Sequence, residues 1–332
     1  MHDYLIEMLE CPVCHSELSW TVTRSLGSRI EEADVRCTTC GAAYPVREGI
    51  ALFLTPDLPR NDLWEHVDSG LTTYLREHPE VERQLMDVPL ADMAPADQFF
   101  RALVLEERGM YGQAKTAEQV ANAGLYTREY LACSESQFNY VIERLSSSDG
   151  PIVDLASGRG ALAERLASRL DRSLVVTDFS PRVLRRNRRW LEFLGLYDKV
   201  SLLAFDARRT PFKDRAVGTL TTYLGLSNIE EPADLLLELR RIVEGGFLAI
   251  SHFFPEEDEA NAAAIREAGL SPLLFRRSAL DHFAAAGWLM ELANMCVGES
   301  IPTPRSVLLD GAGVDALPVV ETVLQWCVLV AS

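Results

Sequence analysis

Lysine is nearly missing from this chain. Only Lys115, Lys199 and Lys213 occur among 32 basic residues, which face 49 acidic ones for a net charge of −17. A surface this acidic repels phosphate backbones, whose neutralisation supplies most of the affinity of nucleic-acid binders, so DNA and RNA are disfavoured as partners. Long apolar runs are missing as well. Leu5, Ile6, Met8 and Leu9 are broken up by Glu7 and Glu10, so no leader-like segment is seen, and no stretch has the length of a membrane span. These absences lead to the expectation of a cytoplasmic protein without a membrane span. Three of the seven cysteines, Cys133, Cys296 and Cys327, are scattered without a pairing pattern, as in a reducing compartment. A composition of 48% hydrophobic residues over 332 positions excludes disorder and suffices for one large core and a small second domain.

The other four cysteines are patterned. Cys11-Pro-Val-Cys14 and Cys37-Thr-Thr-Cys40 are two Cys-x-x-Cys units with 22 residues between them, a spacing that brings four thiolates around one ion in the zinc-ribbon manner. Two disulfides are the weaker alternative in a reducing compartment. Four thiolate ligands leave no coordination position for water, so the expected Zn2+ is structural. The segments 5–14 and 37–54, with the Cys-Pro-x-Cys knuckle and the run Tyr44-Pro45-Val46-Arg47-Glu48-Gly49-Ile50, resemble the Trm112-like zinc domains. Some members of that family activate a partner methyltransferase and others are fused to one. Residues 1–57 therefore read as a zinc-binding domain, Pro56 and Pro59 as a linker, and 58–149 as a helical connector that also covers an active site, with its clearest helical spacing at 96–108 and 134–145.

From Pro151 onward, strands and helices alternate, the pattern of a doubly wound, mostly parallel α/β sheet. Apolar runs at 152–155, 174–177, 202–205, 219–224 and 247–251 read as strands. Helices are expected at 161–170, after Ser180 as cap with Pro181 in the first turn, from Pro232, and at 278–286. Two late strands, 289–297 and 322–330, close the sheet as an antiparallel pair.

The turn Asp154-Leu-Ala-Ser-Gly158-Arg-Gly160 joins a strand to a helix and lets backbone approach a ligand closely. Asp178 lies 20 residues beyond Gly158 at the next strand end, where a carboxylate can accept from both ribose hydroxyls, and Asp206-Ala207 ends the third strand, where an acid can meet an adenine amino group. A dinucleotide-binding protein shares some of these features. The remainder of the domain, residues 150–332, closely resembles the class I S-adenosylmethionine (SAM)-dependent methyltransferases with a seven-stranded sheet. Thr177-Asp178-Phe-Ser looks like their second motif, Phe205-Asp206-Ala-Arg-Arg-Thr-Pro-Phe212 like their third, and Leu239-Arg-Arg-Ile-Val-Glu-Gly245-Gly246 like the turn before their fifth strand. Pro211-Phe-Lys-Asp214 and Thr222-Tyr-Leu-Gly-Leu-Ser-Asn228 are most similar to the quinone C-methyltransferase branch. The resemblance implies that Gly158 and Gly160 approach the methionine part of SAM, Asp178 its ribose, Asp206 and Ala207 its adenine, and Asp154 its amino group, with Ala156, Phe179 and Thr222 completing the cofactor set.

Methyl transfer from a sulfonium is an in-line displacement, so the protein supplies positioning and, for a weak nucleophile, a base. His252, after the fifth strand, and Tyr223, at the end of the fourth, are the candidates. A structural histidine competes with the first reading, and packing competes with a lid role for Tyr126 and Tyr130. The arginines at 182, 185, 186, 188 and 189 read as a solvated helical face rather than a phosphate site. The expected partners are a small-molecule methyl acceptor and, in a homodimer, a second copy of the chain. Two rival readings stand beside this one: an rRNA or tRNA methyltransferase with a zinc module, opposed by Glu7, Glu10, Glu17, Glu31, Glu32 and Asp34 in that module, and a catalytically silent scaffold, suggested by Ser157 and Arg159 in the first motif.

Overall fold

The computed structural model describes residues 1–55, 57–58, 63–268, 270 and 272–332; the linker expected at Pro56 and Pro59 lies outside the described residues. The strands are β1 (Leu18–Leu26), β2 (Arg29–Cys37), β3 (Ala43–Arg47), β4 (Ile50–Phe53), β5 (Ile152–Asp154), β6 (Leu174–Asp178), β7 (Val200–Phe205), β8 (Leu220–Tyr223), β9 (Phe247–Phe253), β10 (Met290–Ser300) and β11 (Thr322–Ala331). Five helices, α1 (Leu63–Glu77), α2 (Pro79–Asp87), α3 (Pro95–Glu107), α4 (Tyr111–Leu125) and α5 (Arg128–Leu145), separate β4 from β5. The rest are α6 (Ala161–Arg169), α7 (Pro181–Phe193), α8 (Pro232–Ile242), α9 (Glu259–Glu267) and α10 (Arg276–Ala285).

A seven-stranded sheet was expected; a single eleven-stranded one is found, in the order β1-β2-β3-β4-β7-β6-β5-β8-β9-β11-β10. The excess comes from the cysteine-bearing segment. Its last strand, β4, runs parallel to β7, with Ile50 opposite Leu202 and Phe53 opposite Phe205. Without β4, β7 would be an edge strand exposing a row of unpaired amides and carbonyls, which is costly in so apolar a strand. All six residues of β7 are buried, as a parallel strand covered on both faces requires. At the other end, β10 and β11 form the expected antiparallel pair.

Side chains alternate cleanly between two cores. Val153, Val175, Leu203, Phe205, Ala249 and Leu329 lie in one with Tyr44, Phe53 and Phe212, so the N-terminal segment shares a hydrophobic cluster with the α/β body. Ring contacts continue it, Tyr44 against Phe53 at 5.1 Å and Phe205 against Phe212 at 5.7 Å. Polar contacts add to this junction: Arg29 donates to the carbonyls of Val200 and Tyr197, both at 2.8 Å, and Arg241 pairs with Glu10 at 2.9 Å. Ile152, Val176, Leu202, Ile250 and Trp326 point to the second core, where Phe138, Val141 and Ile142 of α5 cover the sheet.

The interrupted apolar segment at the N-terminus forms a 3-10 helix, Asp3–Met8. Pro181 does occupy the first turn of α7, but Ser180 makes no side-chain cap: its hydroxyl has no partner, and its amide donates to Asp178 Oδ1 at 2.9 Å. The capping carboxylate thus comes from two residues earlier, where an acid at a helix N-terminus is favoured by the helix dipole.

Candidate functional site

The chain leaves β5 at Asp154 and reaches α6 through a turn in which Ala156, Gly158 and Gly160 have φ values of 50°, 50° and 80°. These left-handed angles suit glycine and strain Ala156. A Cβ on Gly160 would also lie 3.2 Å from Asn187 Oδ1. Three neighbours fix the turn: Gly158 N donates to Asp178 Oδ2 at 3.0 Å, Asn187 Nδ2 donates to Gly158 O at 2.8 Å, and Ser157 Oγ donates to Asp154 O at 2.9 Å. Asp178 therefore sits at the rim of the turn, as its spacing suggested.

Asp154 is fully buried and neither of its carboxylate oxygens has a hydrogen-bond partner. Burial, with the Asp178 charge adding to it, pushes its pKa up to about 7. The same face of the sheet carries further buried polar atoms without partners: Thr221 Oγ1, His252 Nδ1 and Trp326 Nε1. Their common face follows from register, since Asp154 pairs with Thr221, Tyr223 with Ile250, and His252 with Trp326. Leaving such a group unpaired costs about 1–3 kcal/mol, so several along one face call for an explanation. Thr222 Oγ1 is also unpartnered, on the opposite face.

Asp206 lies at the end of β7 as expected, but its carboxylate is engaged by Arg208. Oδ1 accepts from the Arg208 amide at 2.9 Å and from Nε at 3.0 Å, and Oδ2 from Nη2 at 2.8 Å. Arg208 also pairs with Glu231 at 2.9 Å. Ala207 is buried beside it.

The two candidates for catalysis sit on one face in different settings. Tyr223 packs its ring 4.6 Å from Phe138, shares a 3.0 Å hydrogen bond with Ser134 Oγ, and has its phenol pKa raised by burial. His252 belongs to β9 itself rather than following it, between Trp326 at 4.9 Å and Phe254 at 5.7 Å; burial lowers its pKa to about 4, so the ring is neutral near pH 7. Tyr126 and Tyr130 stack at 4.8 Å, and Tyr130 meets Trp326 edge-on at 5.0 Å. Tyr126 donates to Asp315 at 2.9 Å, which ties α4 to the long segment between β10 and β11, and Asp97 of α3 accepts from the amides of Val307 and Leu308, both at 3.2 Å, in the same segment. Trp326 and Asp315 carried no motif in the sequence: the first is one apolar residue in an apolar strand, the second one acid in a loop.

Of the arginines of α7, Arg185 and Arg189 are exposed as a solvated face requires, whereas Arg182, Arg186 and Arg188 are half-buried and paired. Glu106 of α3 accepts from Arg159 at 2.8 Å and from Arg186 at 2.9 and 2.8 Å, and Arg159 also pairs with Glu118 of α4 at 3.0 Å. Arg182 reaches Glu107 and Arg188 reaches Glu31. The glycine turn, α7 and the helices before it are thus cross-linked by charge.

Far from this face, the four patterned cysteines converge. Their sulfurs all lie within 4.8 Å of one another, with Cys11 and Cys40 3.6 Å apart and Cys14 and Cys37 3.4 Å apart. A tetrahedron of thiolates at 2.3 Å from zinc has edges of about 3.8 Å, so the donor set fits that ion.

Residues 152–246 match the family described as Methyltransferase domain, and residues 2–49 the one described as Trm112p-like protein. Among curated relatives, a demethylmenaquinone methyltransferase of Thermus thermophilus is 39% identical over 31% of this chain and 47% of its own length. A ubiquinone/menaquinone biosynthesis C-methyltransferase of Coxiella burnetii is 29% identical over 31% of this chain and 42% of its own. A phosphatidylethanolamine N-methyltransferase of Cereibacter sphaeroides is 26% identical over 43% of this chain and 70% of its own. The chain thus spans less than half the length of the quinone relatives it matches. The segment that matches the Trm112p-like family and the one that matches the methyltransferase-domain family thus share one continuous sheet.

Proposed function

We propose that this chain transfers a methyl group from SAM to a small hydrophobic acceptor, and that a structural Zn2+ held by Cys11, Cys14, Cys37 and Cys40 stabilises the module at the sheet edge. The observation that carries the reading is the glycine turn braced by Asp178, beside a sheet face on which Asp154, Thr221, His252 and Trp326 bury polar atoms without partners. SAM brings an already activated methyl, so the protein's contribution is orientation and charge. In this reading Gly158 and Gly160 admit the methionine part, Ala156 and Phe179 line it, Asp178 holds the ribose, and Ala207 packs on the adenine, whereas Thr222, fully buried on the opposite sheet face, leaves the expected cofactor set. Asp206 joins the adenine edge only through the oxygen capacity that Arg208 leaves it. The names of the relatives, which refer to quinones and a phospholipid, support a lipophilic acceptor. No helix among the described residues is long and apolar enough to cross a membrane.

Asp154 supplies a test. A cationic amino group beside it favours the ionised carboxylate, whereas the free protein holds it near half-protonated at pH 7. SAM affinity is therefore expected to rise about tenfold from pH 6 to pH 8, with proton release on binding in the lower half of that range. Calorimetric titrations in buffers of different ionisation enthalpy measure both, and Asp154→Asn is expected to flatten the profile. An identical profile in the variant would remove Asp154 from the cofactor site.

A further inference from the structure

We infer that Trp326 and His252 form the subsite that recognises a hydroxyl oxygen on the acceptor, the indole N–H donating to it and the imidazole accepting its proton. The inference rests on the methyltransferase reading above and adds to it two acceptor-binding groups.

Trp326 is completely buried, yet its Nε1–H has no partner, although indole N–H is a donor that buried tryptophans ordinarily satisfy. Trp288 of the same chain shows the ordinary case: its Nε1 donates to Leu236 O at 3.0 Å. Directly across the sheet, His252 leaves Nδ1 unpartnered, with its ring 4.9 Å from that of Trp326. One strand pair thus places a donor and an acceptor side by side. In the tautomer with the proton on Nε2, Nδ1 of His252 accepts, and one hydroxyl group can satisfy both orphans at once.

The surroundings fit a planar ring. Tyr130 contacts Trp326 edge-on, Tyr126 stacks on Tyr130, and Tyr223 lies on the same sheet face, opposite Ile250, two residues before His252. Asp154, which marks the cofactor end, lies on that face as well. The cofactor turn at the end of β5 and the oxygen subsite on β9 and β11 therefore lie on one covered face with β8 between them, which leaves room for two bound molecules to meet. For a hydroxyarene methylated at carbon, the balance is complete without another reactant. The hydroxyl proton passes to His252 Nδ1, the ring carbon forms a bond to the methyl as the carbon–sulfur bond breaks, and that bond's electron pair stays on sulfur. The imidazolium then returns the first proton to oxygen while the ring carbon releases its own proton to solvent water, which carries off the one net proton of the reaction and restores aromaticity.

The test uses the full chain with S-adenosylhomocysteine bound and, as probe, a prenylated 1,4-dihydroxynaphthalene kept reduced under nitrogen, with its dimethyl ether as a partner lacking both hydroxyls. Calorimetric titration is expected to show the dihydroxy probe binding at least tenfold more tightly than the ether. Trp326→Phe, which keeps a ring, and His252→Phe are each expected to abolish that preference while leaving S-adenosylhomocysteine affinity within about twofold, which also reports that the variant is folded. Equal binding of probe and ether by the unaltered chain, or a preference retained in both variants, would overturn the inference. Failure of the unaltered chain to bind S-adenosylhomocysteine would instead bring down the methyltransferase reading and this subsite with it.

Discussion

Removing metal from the four-cysteine cluster is expected to lower the thermal midpoint of the entire chain, not of its first fifty residues alone. A closed tetrathiolate site contributes its binding free energy to folding, on the order of 10 kcal/mol for structural zinc, because no such site exists in the unfolded chain. In this protein that energy is not confined to a separate domain. Cys37 ends β2, β2 pairs with β3, β3 with β4, and β4 with the fully buried β7. Phe53 lies in the same core as Phe205 and Phe212. Loss of the module would turn β7 into an exposed apolar edge two strands from β5, which carries the glycine turn, and would remove the Arg29 contacts to Tyr197 and Val200. Metal analysis is expected to give one zinc per chain, and chelation or Cys14→Ser to raise hydrogen exchange in β7 as well as in β1–β4. Exchange confined to the first fifty residues would show the two parts to be energetically independent.

Glu106→Ala is expected to be the most damaging single substitution in the helices before β5. Glu106 is nearly buried and accepts from both Arg159 and Arg186. Removing one member of a buried charge network leaves the others uncompensated and costs about 3–5 kcal/mol. The variant should therefore unfold at clearly lower denaturant and also bind SAM less tightly, since Arg159 stands between Gly158 and Gly160. Burial alone would raise the Glu106 pKa, but the two guanidiniums outweigh it and hold the carboxyl below its ordinary value. Its contribution to stability is then fully present above the ordinary glutamate range and is lost as pH falls through the depressed value. Denaturant titrations of both proteins between pH 3 and 7 are expected to converge at the acid end; a constant gap would place the effect in packing rather than charge.

How much of this was legible beforehand depended on whether the chemistry imposes local spacing. Cys-x-x-Cys units, a glycine turn after a short strand and Asp178 at the next strand end are written into the sequence because geometry demands those residues at those intervals. The parallel pairing of β4 with β7 is not, since four residues at 50–53 find their partner about 150 positions later and nothing local specifies it. Arg182, Arg186 and Arg188 of α7 looked solvated because their acids, Glu107, Glu106 and Glu31, lie on distant segments, while Arg185 and Arg189 are exposed as read. Ser180 had the residue type of a helix cap, but Asp178 was better placed to accept from the Ser180 amide. Asp206 sat where an adenine ligand was expected, and the arginine two residues on had also to be considered. Trp326 was invisible as a functional candidate because its unpaired N–H exists only once β11 is set against β9.

Calorimetric titration of the zinc-loaded chain with SAM and S-adenosylhomocysteine, beside Asp178→Ala, decides whether the turn braced by Asp178 binds SAM. Micromolar binding of both ligands by the unaltered chain is expected, with a loss of at least a hundredfold in the variant, which forfeits the proposed ribose contact and the brace on Gly158 N together. Absence of binding by the unaltered chain, or undiminished binding by the variant, would contradict a SAM site at this turn.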